Sequence, residues 1–266
     1  METNEYATLE SLEDSFWWYR GLHRLVLQTL ASSLRELSPK RNPIEILDAG
    51  CGTGGLLRKL SGTLDGERHL PDGIITAGSG VDFSPHAVVR AAARTGRPIA
   101  RASVEGLPYA KNQFDVVVSL DVLYHRGVND DRDALAEFRR VLRPGGFVLL
   151  NLPAYESLRS SHDAAIHTAR RYRKEDLSSL LQQVGLEPVR VTYWNTILFP
   201  GLALVRRLRR TGSSAEQGSD VRPVPGWLNG LLESILRLER TWLRRFDFPF
   251  GLSLIALARV PDGKGE

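Results

Sequence analysis

Apolar residues along this chain follow two rhythms, short continuous runs and repeats every three to four positions, and the two take turns from one end to the other. Ile44, Ile46 and Leu47 form a strand-like run that breaks at Gly50, Gly52 and Gly54, after which Leu56, Leu57 and Leu60 resume at helical spacing. Phe114 to Ser119 and Phe147 to Leu150 read as buried strands. Between them Leu135, Phe138, Val141 and Leu142 mark one face of a helix that Pro144, Gly145 and Gly146 are expected to stop. Ser84 and Pro85 supply a cap and first turn for a helix to about Thr95. The chain opens with a helix from about Glu13 to Leu37, whose inward face carries Leu22, Leu25, Val26, Thr29 and Leu30 behind an aromatic start, Phe16 to Tyr19. Strands over Glu187 to Asn195 and Leu252 to Val260 bracket a late helical stripe. A polar excursion is expected from Leu64 to Gly73.

Strand, glycine turn and helix bring bare backbone close to a nucleotide-like ligand, and Asp48 stands at the strand's carboxyl end, where open α/β sheets bind ligands. Gly50, Gly52 and Gly55 also satisfy the dinucleotide fingerprint, so the glycines alone leave an NAD-dependent oxidoreductase open. A carboxylate at Asp48 suits an ammonium group and would repel a pyrophosphate. Three further places follow in order: Gly80-Val81-Asp82-Phe83-Ser84, then Ser103 to Tyr109 with Phe114 to Ser119, then Leu142-Arg143-Pro144-Gly145-Gly146. Over residues 44–197 the chain resembles the class I S-adenosylmethionine-dependent methyltransferases.

That resemblance implies a seven-stranded, mostly parallel Rossmann-like α/β sheet with an antiparallel last strand, and S-adenosylmethionine as cofactor. It implies contacts from Asp48, Ala49, Gly50, Gly52 and Gly54, from Asp82 and Phe83, from Ser103, Val104 and Glu105, and from Leu120. Asp82 would take both ribose hydroxyls. Ser103 stands where the family often has an aspartate on the adenine side, so a hydroxyl replaces a charge there. The expected activity is methyl transfer to a small-molecule or lipid-type acceptor, at oxygen first, with sulfur, nitrogen and carbon open. A cofactor-binding scaffold without turnover is the non-enzyme alternative.

Methyl transfer needs a base only when the nucleophile must lose a proton, and such a group must project from the ends of the fourth and fifth strands. His125 is one candidate; His162 with Asp163 as its orienting carboxylate is another. Tyr124, Tyr155, Arg171 and Tyr172 are candidates for holding the acceptor. His162 and His167 are five positions apart, off one helical face, so no metal site is expected.

The chain has 266 residues, 42% of them hydrophobic, and reads as one structural domain: a helical lid segment (1–40), a cofactor-binding core (41–197), a basic amphipathic insertion (198–250) and a last strand with its tail (251–266). The single cysteine, Cys51, lies inside the glycine loop and excludes an internal disulfide framework; packing beneath the loop is its expected use. The acidic start lacks an apolar run, and no segment offers 18 uninterrupted apolar residues, so a cytoplasmic place is expected. Leu198 to Phe250 holds nine arginines, five acids and no lysine, a balance of +4 that equals the net charge of the whole chain. Leu228, Leu231, Leu232, Ile235, Leu236, Trp242, Leu243 and Phe246 form the stripe here, and Gly212 to Pro225 reads as a loop. Core packing or a homodimer contact is the first expectation for the stripe, and peripheral contact with an anionic membrane the second. A nucleic-acid partner is not expected, because no recognition module accompanies the charge.

Overall fold

The apolar runs pair side by side in a computed structural model, which describes residues 10–60, 63–64, 67–68, 74, 76–159, 163, 167–201 and 224–262. Seven strands result: β1 (Ile44–Ala49), β2 (Thr76–Asp82), β3 (Ile99–Arg101), β4 (Phe114–Leu120), β5 (Leu142–Pro153), β6 (Glu187–Trp194) and β7 (Ser253–Arg259). Their order across the sheet is 3-2-1-4-5-7-6. The first five are parallel, while β7 slots between β5 and β6 and runs antiparallel to both. The expected parallel sheet with an antiparallel last strand is therefore what forms. The order reverses between β1 and β4, and that reversal opens a crevice beyond their carboxyl ends.

Alternation along each strand sorts the core into two layers. Ile44, Ile46, Val116, Val118, Phe147 and Leu149 face α1 (Trp17–Leu37) and α2 (Gly55–Leu60), whereas Leu47, Val117, Val148 and Leu150 face the opposite layer. On the first face α3 (Pro85–Thr95) adds Ala91, and on the second α4 (Asp131–Val141) and α5 (Lys174–Gln183) supply Phe138, Leu177 and Leu181. A last helix, α6 (Gly226–Trp242), lies on α1. Its Leu236 packs so closely that a Cβ on Gly21 would stand 2.3 Å from the Leu236 Cδ1. Each fully buried leucine or valine in these layers contributes about 1.5–3 kcal/mol.

Local chemistry sets the element ends. Ser84 Oγ accepts from Ala87 N at 3.5 Å, Pro85 opens α3, and Gly96 at φ +62° closes it, as the sequence predicts. The helix before the Pro-Gly-Gly turn stops earlier than expected, at Val141, because Leu142 is already extended and paired with Phe114. Pro144 to Gly146 become an irregularity inside β5 instead of a break before it. Gly145 takes φ +75°, and a Cβ on Gly146 would lie 2.9 Å from the carbonyl oxygen of Asp115. At this end of the sheet the buried Asp115 carboxylate accepts from Glu45 N at 2.8 Å and from Arg143 Nη1 at 2.8 Å, and pairs with Arg41.

The opening helix also differs from expectation. It starts at Trp17, after a helical turn at Glu10 to Leu12 and a bend, because Glu10, Glu13 and Asp14 are drawn onto Arg90, Arg94 and Arg58. Within the excursion Thr63–Leu64 pairs antiparallel with Glu67–Arg68. Residues 202–223, including most of the expected 212–225 loop, lie outside the described residues.

Candidate active site

The glycine turn after β1 builds the floor of the crevice. Gly50, Gly52 and Gly54 take φ of +90°, +54° and +83°, a backbone that side-chain-bearing residues resist. Gly50 N and Cys51 N both donate to Val81 O, at 2.8 and 2.9 Å, which ties the turn to β2. A Cβ on Gly50 would meet Val122 Cγ2 at 2.2 Å. Cys51 is buried beneath the turn, and burial pushes its thiol far up, so it serves as packing.

Three carboxyl groups converge on this turn. Asp48 is buried, has no hydrogen-bond or cationic partner among the described residues, and is pushed up to about 8, by burial first and then by Glu13 and Asp82. Asp82 Oδ2 accepts from Gly52 N at 3.0 Å and Oδ1 from Ser84 N at 2.9 Å; burial still raises it. Glu13, which residue-by-residue reading of the sequence missed, accepts from Thr53 Oγ1 at 2.7 Å and pairs with Arg94. Arg94 answers Glu13 and leaves Asp48 with no countercharge, so the crevice suits a ligand that brings an ammonium or sulfonium cation. S-adenosylmethionine brings both, and the donor set fits it.

Beside Asp82 the Phe83 ring is 74% exposed, an open apolar face over the crevice rim. Ser103 Oγ accepts from Glu105 N at 3.2 Å, Val104 is buried, and Leu120 ends β4 half-buried. Glu105 Oε1 accepts from Asn129 N and Asp130 N, both at 3.0 Å. Those bonds clamp the loop in front of α4 and direct the carboxylate there.

At the ends of β4 and β5 stands a further carboxyl group. Asp121 sits at φ +58°, its Oδ1 accepts from Asn151 Nδ2 at 3.0 Å, and Asn151 Oδ1 accepts from Trp194 Nε1 at 2.8 Å. Restricted solvent access pushes the Asp121 carboxyl up to about 7. Trp18 stacks on Trp194 with centroids 4.8 Å apart and planes 17° from parallel. The Tyr19 phenol is raised by burial and then by the charges of Asp121 and Glu13.

The bases expected from the sequence fare differently. His125 Nδ1 accepts from Gly127 N at 2.9 Å, which leaves the ring proton on Nε2 and no lone pair open; burial and the neighbouring His167 hold the ring neutral. This ring caps a turn. His162 lies outside the described residues. Asp163 is buried and bonded at 2.8 Å to Arg171 Nε, and Arg171 Nη1 donates to Ala154 O at 2.8 Å, so the pair braces the strand ends. Tyr172 Oη donates to Asp131 Oδ2 at 2.9 Å and is buried, which takes it out of the acceptor wall. Tyr124 is buried, its phenol raised by burial and then by Asp121. Tyr155 takes φ +53° and stacks on Tyr193 at 5.0 Å, with Phe199 and Phe250 continuing the aromatic group. A carboxylate directly after a strand end was the available signal for Asp121.

A family described as "Methyltransferase domain" matches residues 47–150. An O-methyltransferase of Penicillium expansum, cnsE, is 30% identical over 223 residues, covering 77% of this chain and 76% of that protein. A malonyl-[acyl-carrier protein] O-methyltransferase of Geobacter sulfurreducens is 28% identical over 88% of this chain and 86% of its own length. Among solved structures, a complex between the Haloferax volcanii Trm112 methyltransferase activator and its methyltransferase aligns with a TM-score of 0.59 at 21% identity, over 99% of this chain and 97% of that one.

Proposed function

This chain belongs to the class I S-adenosylmethionine-dependent methyltransferases, and from that premise we propose that it methylates a hydroxyl oxygen of a small, uncharged acceptor with an aromatic or similarly flat body. The observation that carries this reading is Asp121, a carboxyl raised to about 7 at the mouth of the crevice and oriented by Asn151. A general base works best when its pKa lies near the working pH. The relatives act at oxygen, by their names. With Glu13 answered by Arg94 and Asp48 by the donor's ammonium, ionised Asp121 is the negative charge left facing the acceptor, which disfavours a free carboxylate there. The rings of Tyr155, Phe199 and Phe250, tilted against one another, offer an aromatic wall beyond the ends of β5 and β6.

When bound, S-adenosylmethionine supplies a methyl group already activated by its sulfonium. Ionised Asp48 would hold the donor's ammonium and Asp82 would accept from its ribose hydroxyls, while the bare backbone of the glycine turn and Ser103 would complete the cradle, with Phe83, Val104 and Leu120 as apolar walls. Tyr19 and Trp18 exclude water from above. Asp121 takes the acceptor's hydroxyl proton onto its carboxylate, and Asn151, itself fixed by Trp194, keeps that carboxylate aimed. Alignment of this kind contributes about 7–11 kcal/mol in favourable cases, and a positioned base a further factor of roughly 10²–10⁴.

A panel of phenols, alcohols and carboxylic acids with methyl-labelled donor tests the reading. Transfer to hydroxyl acceptors is expected. Asp121→Asn should lower kcat by about 10² or more with donor affinity, measured by titration calorimetry, within about twofold of the parent. Methylation of carboxylic acids alone, or an Asp121→Asn enzyme at full rate, overturns it.

A further inference from the structure

On the α1 and α6 side, toward the opposite end of the sheet from Asp121, lies a cleft of about 1230 Å³ walled by α1, α6 and the start of β6. Arginines dominate its lining. Arg24 meets Glu233 and Arg190 meets Asp247, but Arg35, Arg237, Arg240, Arg244 and Arg245 have no acidic partner within ion-pair distance among the described residues. Arg240 is half-buried among Arg24, Arg244 and Arg237, and its burial and their charges depress it. Like charges crowded in this way are stabilised by anions from outside the chain.

An apolar ridge borders the cleft. Glu233, Leu236 and Glu239 turn α6 toward the protein, and on the other side of the helix Trp227, Leu231, Leu238 and Trp242 recur at intervals of four, seven and four, 73%, 52%, 66% and 51% exposed. Phe246, 54% exposed, extends the ridge with its ring 4.8 Å from Trp242. No helix among the described residues is long and apolar enough to cross a membrane. Tryptophan at both ends, aliphatic side chains between and arginines along one flank form the pattern of a helix that lies in a lipid–water interface. Nucleic-acid bases stack on rings but have no use for Leu231 and Leu238, so the ridge favours a lipid surface over a polynucleotide.

We infer that the arginine cleft and the exposed ridge of α6 together form a docking surface for an anionic phospholipid bilayer. Phosphates occupy the cleft, and the ridge enters the headgroup layer.

The test uses the full chain and vesicles of phosphatidylcholine alone or mixed with phosphatidylglycerol. Co-sedimentation at low salt with the mixed vesicles only is expected, with a blue shift in tryptophan emission. The triple variant Arg237→Glu, Arg244→Glu, Arg245→Glu should bind at least tenfold more weakly, since each arginine near such a surface is worth roughly fivefold in partitioning. Trp227→Ser with Trp242→Ser should abolish the emission shift. Donor affinity by calorimetry should match the parent in both variants, which separates lost docking from lost folding. Absence of vesicle binding by the wild-type chain, unchanged binding by the triple variant, or capture by an RNA oligonucleotide in preference to mixed vesicles overturns the inference.

Discussion

Asp48 carries the clearest consequence of a single side chain. Its carboxyl is raised to about 8 without ligand, while a bound ammonium requires the ionised form. At pH 6 most molecules must therefore lose a proton on binding the donor. Donor affinity is expected to rise by up to about tenfold per pH unit and to level off near pH 8, where the donor's own amino group begins to lose its proton. Calorimetry in buffers of different ionisation enthalpy checks this, and Asp48→Asn should bind weakly with a flat profile. Asp48, Asp82 and Asp121 each stand at or directly after a strand end, a local signal the sequence carries. The surroundings of Asn151, Trp194 and Glu13 were not legible, because they arise from contacts across distant chain: Asn151 and Trp194 stand 43 positions apart, Glu13 and Thr53 40. Residue type misled in the other direction at His125, whose imidazole serves a turn.

Between elements, α1 and α6 are joined by specific polar contacts as well as by packing. Asn229 Oδ1 accepts from Trp17 N at 2.9 Å and its Nδ2 donates to Ser15 O at 3.0 Å, so a residue of the late insertion caps the N-terminus of the first helix. Glu233 meets Arg20 and Arg24 one turn further on. Asn229→Ala is expected to cost about 1 kcal/mol in urea unfolding, the usual value of a helix cap. It should also weaken donor binding severalfold, because Trp18 and Tyr19 follow directly on the capped residue. Strand periodicity and helix stripes identified these elements in the sequence. Their partners were hidden, because an apolar stripe states that something covers it and not what does.

For the whole molecule, the seven-stranded, mostly parallel sheet with an antiparallel last strand was implied by motifs whose spacing survives in one dimension, whereas the strand order emerges only from the pairing. The far end of the sheet carries stability rather than chemistry. Asp115→Ala would strand Arg41, Arg143 and the amide of Glu45 around an emptied buried site, and should lower unfolding free energy by about 3–5 kcal/mol with donor affinity of the folded protein unchanged. Chemical denaturation together with calorimetry checks both halves. The position of β7 has a different consequence. Among the described residues β6 has no sheet neighbour except β7, so a chain emerging from the ribosome holds β6 unpaired until residues 253–259 have also left the exit tunnel. Closure of the sheet beside the crevice thus waits on β7, and a nascent fragment that lacks it is the species most in need of a chaperone.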